Sequence, residues 1–183
     1  EQMDYLSGIC LHNAKSLLEA LIYCEINQIL DFRINSQILP LKTHHEVGYN
    51  ICELPGHKDI VKTFQSCGKF CRKNHIRTTF HPDQFILLSS PTRSVVENSI
   101  KELEYHTEVS EWVHADVINL HAGGAYGDKK NALKHLSKQI EKLPDSIRSR
   151  LTLENDDRIF TPRDLIPLCK DMGIPLVYDV HHH

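Results

Sequence analysis

The chain has 183 residues, of which 40% are hydrophobic and 25% are charged, a composition typical of one folded domain. No apolar run approaches the roughly 18 residues of a membrane-spanning helix, and no basic segment followed by an apolar one opens the chain, so we expect a cytoplasmic protein with no membrane partner. The net charge of -3 excludes a strongly basic nucleic-acid coat, although cations bound in a cleft would reverse the local sign.

Cysteine and histidine carry different signals in this sequence. The six cysteines are scattered through apolar stretches, and the closest pair, Cys67 and Cys71, does not have the C-x-x-C spacing of a zinc ribbon or redox centre. We therefore predict that all six are reduced thiols in the core. Thirteen residues are histidine, which is the commonest metal ligand.

Five stretches have the apolar periodicity of amphipathic helices, and several carry end signals. We predict that the third begins with Ser90 as N-cap and Pro91 in its first turn, and that the fourth begins at Asp128. The last is predicted to start at Thr161 and stop at Gly173. The apolar stripes of the five helices lie within residues 17–22, 60–71, 95–113, 133–143 and 165–172.

Five short apolar runs alternate with these helices, at residues 28–34, 76–80, 117–120, 151–153 and 174–178. Continuous apolarity is what strands covered on both faces require, and alternation with helices favours a parallel α/β sheet or barrel. A barrel of eight units has about 31 residues per unit, so this length corresponds to nearly six units. We expect residues 1–183 to form one partial domain, an α/β TIM (β/α)8-type barrel truncated at both ends.

Each of the last four runs ends in a potential metal ligand, namely His81, His121, Glu154 and Asp179. Equivalent ends of parallel strands converge on one mouth of a barrel, where the catalytic groups of this fold lie. The alternative is four unrelated polar residues at strand ends. Mixed imidazole and carboxylate ligation suits zinc, manganese or iron, and the carboxylates leave hard ions such as magnesium open.

Two loops next to these strand ends have both a functional and an ordinary interpretation. The loop after His121 contains Gly123, Gly124 and Tyr126, and its free backbone amides suit phosphate oxygens, although a flexible turn is equally compatible. Phe85 follows His81 closely, and an exposed aromatic stacks on bases or fills a gap in a duplex. An ordinary packing role for Phe85 is the alternative.

Several other histidines are ambiguous from position alone. His44 and its neighbour His45 follow the first strand and form either an exposed loop pair or part of a site. Asp179 and His182 have an Asp-x-x-His spacing, but three consecutive histidines at residues 181–183 also resemble a purification tag. We expect His12, His57, His75, His106, His114 and His135 to be surface or packing residues.

Several segments of this sequence resemble those of the ultraviolet damage endonucleases, which are relatives of endonuclease IV among the xylose-isomerase-like TIM barrels. The similar segments span nearly the whole chain. They are residues 32–34, 81–84, 119–127 and 153–158, together with the Asp179-x-x-His182 pair.

The resemblance implies a multinuclear metal site, with manganese as the usual metal and zinc or magnesium as alternatives. It implies catalytic roles for four of the metal ligands, His81, His121, Glu154 and Asp179. Gln84 and Phe85 would probe the gap at a lesion, and Phe85 stands where the family usually has tyrosine. Gly123, Gly124 and Tyr126 would contact the DNA backbone. The implied ligands are His44, His81, His121, Glu154, Asp179 and His182.

The implied function is metal-dependent hydrolysis of the phosphodiester 5′ to ultraviolet photolesions in double-stranded DNA, with abasic sites as a further substrate and a monomer as the active form. The resemblance also implies a strand before residue 1 and further metal ligands after residue 183. Two alternatives stay open at this point. One is a metal-dependent sugar isomerase or epimerase on the same barrel, and the other is a non-catalytic metal-binding or DNA-binding fragment.

Overall fold

The structure is a computed structural model that describes residues 2–182. None of the described helices is both long and apolar enough to cross a membrane. The helices are α1 (Gln2–Ile26), α2 (His57–Lys73), α3 (Arg93–Val113), α4 (Lys129–Lys142), α5 (Asp145–Arg148) and α6 (Pro162–Met172). The strands are β1 (Asp31–Ile34), β2 (Arg77–Phe80), β3 (Val117–His121), β4 (Leu151–Glu154) and β5 (Leu176–Val177). Helices and strands alternate, as the sequence predicted.

Tertiary contacts divide the described residues into two compact units. One unit runs to His81 and includes Glu108–Asp116, and the other comprises Pro82–Thr107 and the described residues from Val117 onward. In the first unit β1 and β2 pair in parallel. In the second unit β4 pairs in parallel with both β3 and β5. Parallel pairing throughout confirms the predicted α/β class, and a single domain over residues 1–183 stays a prediction.

The first unit has its core between α1 and α2. Ala14 of α1 and Phe64 of α2 are completely buried. The Cys67 thiol donates to the Ala14 carbonyl at 3.6 Å, which places the two helices in direct contact. Gly68 faces the end of α3, where a Cβ atom would lie 2.7 Å from the Trp112 carbonyl oxygen. Only glycine therefore permits this close approach.

In the second unit, α4 and α6 begin at the predicted N-caps. Asp128 Oδ1 accepts a hydrogen bond from the Asn131 amide at 3.0 Å. Thr161 and Asp164 form a reciprocal capping box at the start of α6. That helix ends at Gly173, whose φ of 65° is left-handed. Local side-chain chemistry thus fixes these helix boundaries, as the sequence indicated.

Three predicted elements have a boundary that was wrong by two residues or more. Helix α3 begins at Arg93 rather than Pro91, because the Ser90 hydroxyl accepts from the Thr92 amide at 3.1 Å and forms a turn before the helix. Residues 28–30 lie in the connection after α1, where Gln28 is in a turn and has a φ of 58°, so β1 is shorter than predicted. Strand β5 contains only two residues of the predicted run at residues 174–178.

The prediction of six core cysteines was right for five of them and wrong for Cys52. Cys52 lies in a short 3-10 turn, Ile51–Glu53, and is exposed. None of that turn is buried, because it crosses the surface before α2. The buried cysteines are Cys10, Cys24, Cys67, Cys71 and Cys169.

Candidate metal centre

Two polar residues that end adjacent strands lie side by side in the second unit. Strand β3 ends at His121 and β4 ends at Glu154, and the parallel register makes these two residues direct partners. One ligand atom of His121 and one of Glu154 lie within 4.8 Å of each other. The strands run in the same direction, so their carboxyl ends share one edge of the sheet. The sequence predicted this pairing.

A second group of ligand atoms is built around the same glutamate. Atoms of Glu154, Asp179 and His182 all lie within 4.8 Å of one another. His182 Nδ1 is 3.7 Å from Glu154 Oε1 and 3.6 Å from Asp179 Oδ2. The rings of His121 and His182 have centroids 5.5 Å apart. The second unit therefore gathers two carboxylates and two imidazoles in one place.

A tight turn brings His182 back to the strand ends. Asp179 comes two residues after β5 and is followed by a 3-10 turn, Val180–His182. The Asp179 carboxylate accepts from the His181 amide at 2.8 Å, and the Asp179 carbonyl accepts from the His182 amide at 3.3 Å. This turn leaves His181 exposed and directs His182 toward Glu154. The Asp-x-x-His spacing thus has a structural basis.

The surroundings of Asp179 and His182 shift the pKa of each toward its charged form. The hydrogen bond from the His181 amide, followed by Glu154 and the nearby imidazoles, lowers the pKa of Asp179. The hydrogen bond to the Asn155 carbonyl, followed by the Asp179 and Glu154 carboxylates, raises the pKa of His182. Asp179 therefore remains a carboxylate at neutral pH, and the carboxylates give the cluster an attraction for cations.

The donor set fits a divalent cation. Glu154 is only 4% exposed, although it carries a carboxyl group at the end of a strand. A buried carboxylate is costly unless a positive charge and hydrogen bonds compensate it. The Asn119 side chain donates one hydrogen bond to Glu154. Imidazole nitrogens and carboxylate oxygens together are ligands of zinc, manganese and iron.

Two predicted ligands belong to the first unit, and their metal-binding roles stay predictions. His81 directly follows β2, as predicted, and its carbonyl accepts from the Ser36 hydroxyl at 2.9 Å. His44 is exposed, and its Nδ1 accepts from the Glu46 and Val47 amides at 3.2 and 3.4 Å. This arrangement leaves the proton of a neutral His44 ring on Nε2. Metal binding by His44 therefore requires that turn to rearrange.

Gln84 and Phe85 occupy the tip of a tight turn in the second unit. The Ile86 amide donates to the Asp83 carbonyl at 3.1 Å, so Gln84 and Phe85 are the two central residues. The Phe85 side chain is 76% exposed, whereas Ile86 is buried and anchors the turn. This exposure contradicts an ordinary packing role for Phe85. Its role in lesion probing stays a prediction.

The glycine-rich loop after β3 has backbone constraints of its own. Gly123 has a φ of 88°, and a Cβ atom there would collide with the Ser89 hydroxyl. A Cβ atom at Gly124 would lie 3.0 Å from the ring of Tyr126, which is itself half exposed. Glycine is therefore required at Gly123, whereas a Cβ atom at Gly124 would require only a small shift of the Tyr126 ring. Contact with a DNA phosphate stays a prediction for all three residues.

Two buried asparagines support the cluster, and the sequence did not predict a role for either. Asn119 lies in the middle of β3 and contacts Glu154, and Asn155 directly follows Glu154 and contacts Asp179. Asn119 is 8% exposed and Asn155 is 0% exposed. A signal was present for Asn119, because a polar residue interrupts the apolar run of its strand. Asn155 follows its strand and has no such signal.

Fold and site together define a class of protein. Parallel strands alternate with helices, and imidazole and carboxylate groups gather at the carboxyl ends of the strands, as in TIM-barrel proteins that carry polar sites there. Comparison with known proteins identifies the family within this class. Residues 1–183 match the family model described as UV-endonuclease UvdE, so the chain belongs to the UvdE family.

Named relatives support this assignment. The chain is 36% identical to the UV DNA damage endonuclease of Bacillus velezensis over 185 residues, which cover 100% of this chain and 56% of that protein. It is also 36% identical to the UV DNA damage endonuclease of Bacillus pumilus over 174 residues, covering 93% of this chain and 53% of that protein. The chain thus spans about half the length of these curated relatives.

Solved structures confirm the TIM-barrel fold class. The crystal structure of SacUVDE matches with a TM-score of 0.89 and 30% identity, over 96% of this chain and 60% of that one. Endonuclease IV from Thermus thermophilus matches with a TM-score of 0.63 at 14% identity, over 91% of this chain and 58% of that one. D-psicose 3-epimerase from Clostridium cellulolyticum has a TM-score of 0.64, also at 14% identity, over 90% of this chain and 58% of that one. Fold alone therefore does not separate the nuclease from the epimerase alternative.

Proposed function

We propose that the full-length protein is a metal-dependent DNA repair endonuclease that cuts the phosphodiester 5′ to ultraviolet photolesions in duplex DNA. Family membership and relatives named UV DNA damage endonuclease support the reaction class. The observation that carries the proposal is the cluster of Glu154, Asp179 and His182 at the strand ends, with His121 beside it. Such donors suit manganese, zinc or magnesium, and we propose manganese as the resident metal.

The residues of the cluster would hold and orient the cations. Divalent ions bound there would polarise the attacking water, neutralise the phosphate and stabilise the leaving oxygen. We propose Glu154, Asp179, His121 and His182 as ligands, and add His81 because it directly follows a strand. His44 is proposed as a further ligand, which binds after its turn rearranges. In this scheme no side chain has to act as a general base.

Hydrolysis of this bond joins the water oxygen to phosphorus and breaks the bond from phosphorus to the 3′ oxygen of the preceding nucleotide. The products are a 3′-hydroxyl and a 5′-phosphate on the damaged side. The negative charge of the protein at neutral pH makes bound cations the attractive element for the DNA backbone. Backbone amides of Gly123 and Gly124, with Tyr126, are proposed to contact adjacent phosphates.

Damage would be recognised by its effect on duplex stability. A lesion that stacks poorly lowers the cost of moving nucleotides out of the helix, so deformability is sensed without base-specific hydrogen bonds. The turn that presents Gln84 and Phe85 is suited to fill the vacated space. Phe85 offers an exposed aromatic face, and buried Ile86 fixes the base of the turn. Abasic sites present a similar gap and are proposed as a further substrate.

Nicking of supercoiled plasmid tests the proposed function. The full-length protein is incubated with irradiated, abasic and intact plasmid, with added manganese or after metal removal. We expect nicks in the damaged plasmids, dependence on metal, and 3′ ends that a DNA polymerase extends. Equal nicking of intact and irradiated plasmid, or full activity after metal removal, would contradict the proposal. Turnover of a free ketose without nicking would favour the epimerase alternative.

A further inference from the structure

Asn155 joins the end of β4 to the segment after β5. It directly follows Glu154 and is completely buried. Its side-chain Nδ2 donates to the Asp179 carbonyl at 3.0 Å, and its Oδ1 accepts from the Asp179 amide at 3.0 Å. These two bonds satisfy both backbone polar groups of Asp179. The asparagine side chain therefore acts as a strand partner beyond the last paired residues, Glu154 and Val177.

The backbone of Asn155 holds another member of the cluster. Its carbonyl oxygen lies 3.0 Å from His182 Nδ1. A carbonyl can only accept a hydrogen bond, so Nδ1 of His182 must carry the proton. A neutral His182 ring then has its free lone pair on Nε2. Hydrogen bonds of this kind fix the tautomer and orientation of metal-binding histidines.

Asn155 thereby constrains both ends of a short loop. Its side chain fixes Asp179, where the 3-10 turn starts, and its carbonyl fixes His182, where that turn ends. Glu154 is attached to Asn155 by the peptide bond. The relative positions of the three groups in the cluster therefore depend on one buried residue. The two bonds from the Asn155 side chain to the Asp179 backbone join neutral groups.

We propose that Asn155 is the positioning residue of the metal centre, which sets the positions of Asp179 and His182 relative to Glu154. This inference rests on the proposed metal-dependent function. It predicts that Asn155 affects metal affinity more than stability alone explains. Losing a residue that orients the ligands typically costs about 10- to 100-fold in metal affinity.

Zinc titration by calorimetry tests this role in the full-length protein. We expect Asn155→Ala to bind zinc ions about 10- to 100-fold more weakly than the wild type. The matched control is Asn13→Ala, because the Asn13 side chain also donates to a distant backbone carbonyl, that of Ile38, at 2.8 Å. Asn13→Ala should bind zinc as the wild type does. Equal affinities in the Asn155 and Asn13 variants would overturn the proposal.

A second measurement does not depend on the folding of any variant or on metal. The 15N chemical shifts of the imidazole of His182, recorded for the metal-free wild type at alkaline pH where the ring is neutral, report which nitrogen is protonated. We expect the proton on Nδ1 in the wild type, because the Asn155 carbonyl beside it can only accept a hydrogen bond. A proton on Nε2 in the wild type would overturn the role of Asn155. Absence of zinc binding by the wild type would instead contradict the proposed function.

Discussion

The Asn119 side-chain amide donates a hydrogen bond to Oε2 of Glu154, and both residues are buried. The carboxylate is thus fixed by a neutral donor. We expect Glu154→Gln to preserve this hydrogen bond, because the glutamine oxygen also accepts. Without metal, the variant should therefore be about as stable as the wild type, because the bond from Asn119 is kept.

Metal binding and DNA cleavage should be impaired in Glu154→Gln, although its stability is not. Glu154→Gln should lower manganese affinity by about 10- to 100-fold or more, since loss of a ligand exceeds loss of its support. Nicking of irradiated plasmid should disappear. Glu97→Gln is the matched control, because Glu97 is exposed and pairs with Arg93 on the surface of α3. Unchanged nicking by the Glu154 variant would remove this residue from the mechanism.

The hydrogen bonds that hold Glu154 include a third residue, because Asn119 is itself bonded to Thr152. Thr152 Oγ1 donates to Asn119 Oδ1 at 2.7 Å, and the two residues are register partners on β3 and β4. Asn119→Ala removes a partner from two buried groups, each at a cost of about 1–3 kcal/mol. Thr152→Val keeps the shape and removes only one bond.

Chemical denaturation of the two variants distinguishes these contributions. Asn119→Ala should lower the unfolding free energy by more than Thr152→Val does, which should cost about 1 kcal/mol. Manganese affinity should also fall in Asn119→Ala, because the Glu154 carboxylate loses a fixed donor. A larger loss of stability in Thr152→Val than in Asn119→Ala would contradict the proposal that Asn119 contributes two hydrogen bonds and Thr152 one.

The sequence predicted the strand-end residues of the cluster and missed the two asparagines that form hydrogen bonds with its members. His121 and Glu154 were predictable because parallel strands place their carboxyl ends together, a rule that depends only on strand order and direction. The contact between Asn155 and Asp179 joins residues 24 positions apart and depends on the course of a short turn. Helical or strand periodicity does not encode such a contact. A polar residue inside an apolar strand, as at Asn119, is the closest available signal.

Details of the fold that depend on tertiary contacts were also not predictable from the sequence pattern. Asp128 was correctly predicted as the start of α4, because its side chain accepts from a backbone amide three residues away. Ser90 carried a similar local signal, but its hydroxyl accepts from the Thr92 amide and forms a turn instead. Cys52 was predicted to be buried from its apolar context, yet its exposure depends on tertiary packing. Local chemistry is therefore informative only where tertiary contacts do not compete with it.

Phe85 should contribute specifically to damaged DNA. Phe85→Ala removes an exposed ring from the tip of its turn, so it should leave folding unchanged and weaken binding to a damaged duplex by about 1–3 kcal/mol, the usual value of one stacking contact. Binding to an intact duplex should change much less. Fluorescence anisotropy with matched damaged and intact duplexes measures both affinities.

Tyr5 provides the control for Phe85. Tyr5 is 75% exposed, which is nearly the same exposure as Phe85, and it lies on α1 outside the proposed site. Tyr5→Ala should therefore leave both affinities at the wild-type values. If Phe85→Ala weakens damaged and intact duplexes equally, Phe85 is a general DNA contact and does not probe the lesion.

Cys52 should be the one thiol that reacts rapidly in the native protein. All six cysteines lie in the part of the chain that the structure describes, and the other five are buried. Burial raises the pKa of Cys67 to about 12 and that of Cys71 to about 11, so these thiols are protonated and unreactive at neutral pH. Titration with a disulfide reagent should show a single fast equivalent within this chain.

Substituting single cysteines identifies which thiol reacts in the fast phase. Cys52→Ser should abolish the fast phase, whereas Cys169→Ser should retain it, because Cys169 is buried and burial raises its pKa. Unfolding in denaturant should make the remaining thiols react at one common rate. A fast phase that persists in Cys52→Ser would show that a second thiol is accessible in the native state.

His106 should make the protein less stable in mild acid. The residue is buried, and burial lowers its pKa to about 4, although the Glu102 carbonyl and Asp83 act in the opposite direction. The unfolded state takes up a proton near the ordinary pKa of 6.5, while the folded state does so only near 4. The stabilisation is complete above pH 6.5 and is lost as the pH falls toward 4. The difference amounts to about 3 kcal/mol.

Denaturation of His106→Gln at several pH values isolates this contribution. The unfolding free energy of the variant should fall less steeply between pH 6.5 and 4 than that of the wild type, because glutamine does not titrate. His12→Gln is the control, since His12 is exposed on α1 and should leave the slope unchanged. Carboxyl groups titrate in all three proteins and cancel in the comparison. Parallel slopes for the wild type and His106→Gln would mean that His106 is protonated equally in the folded and unfolded states.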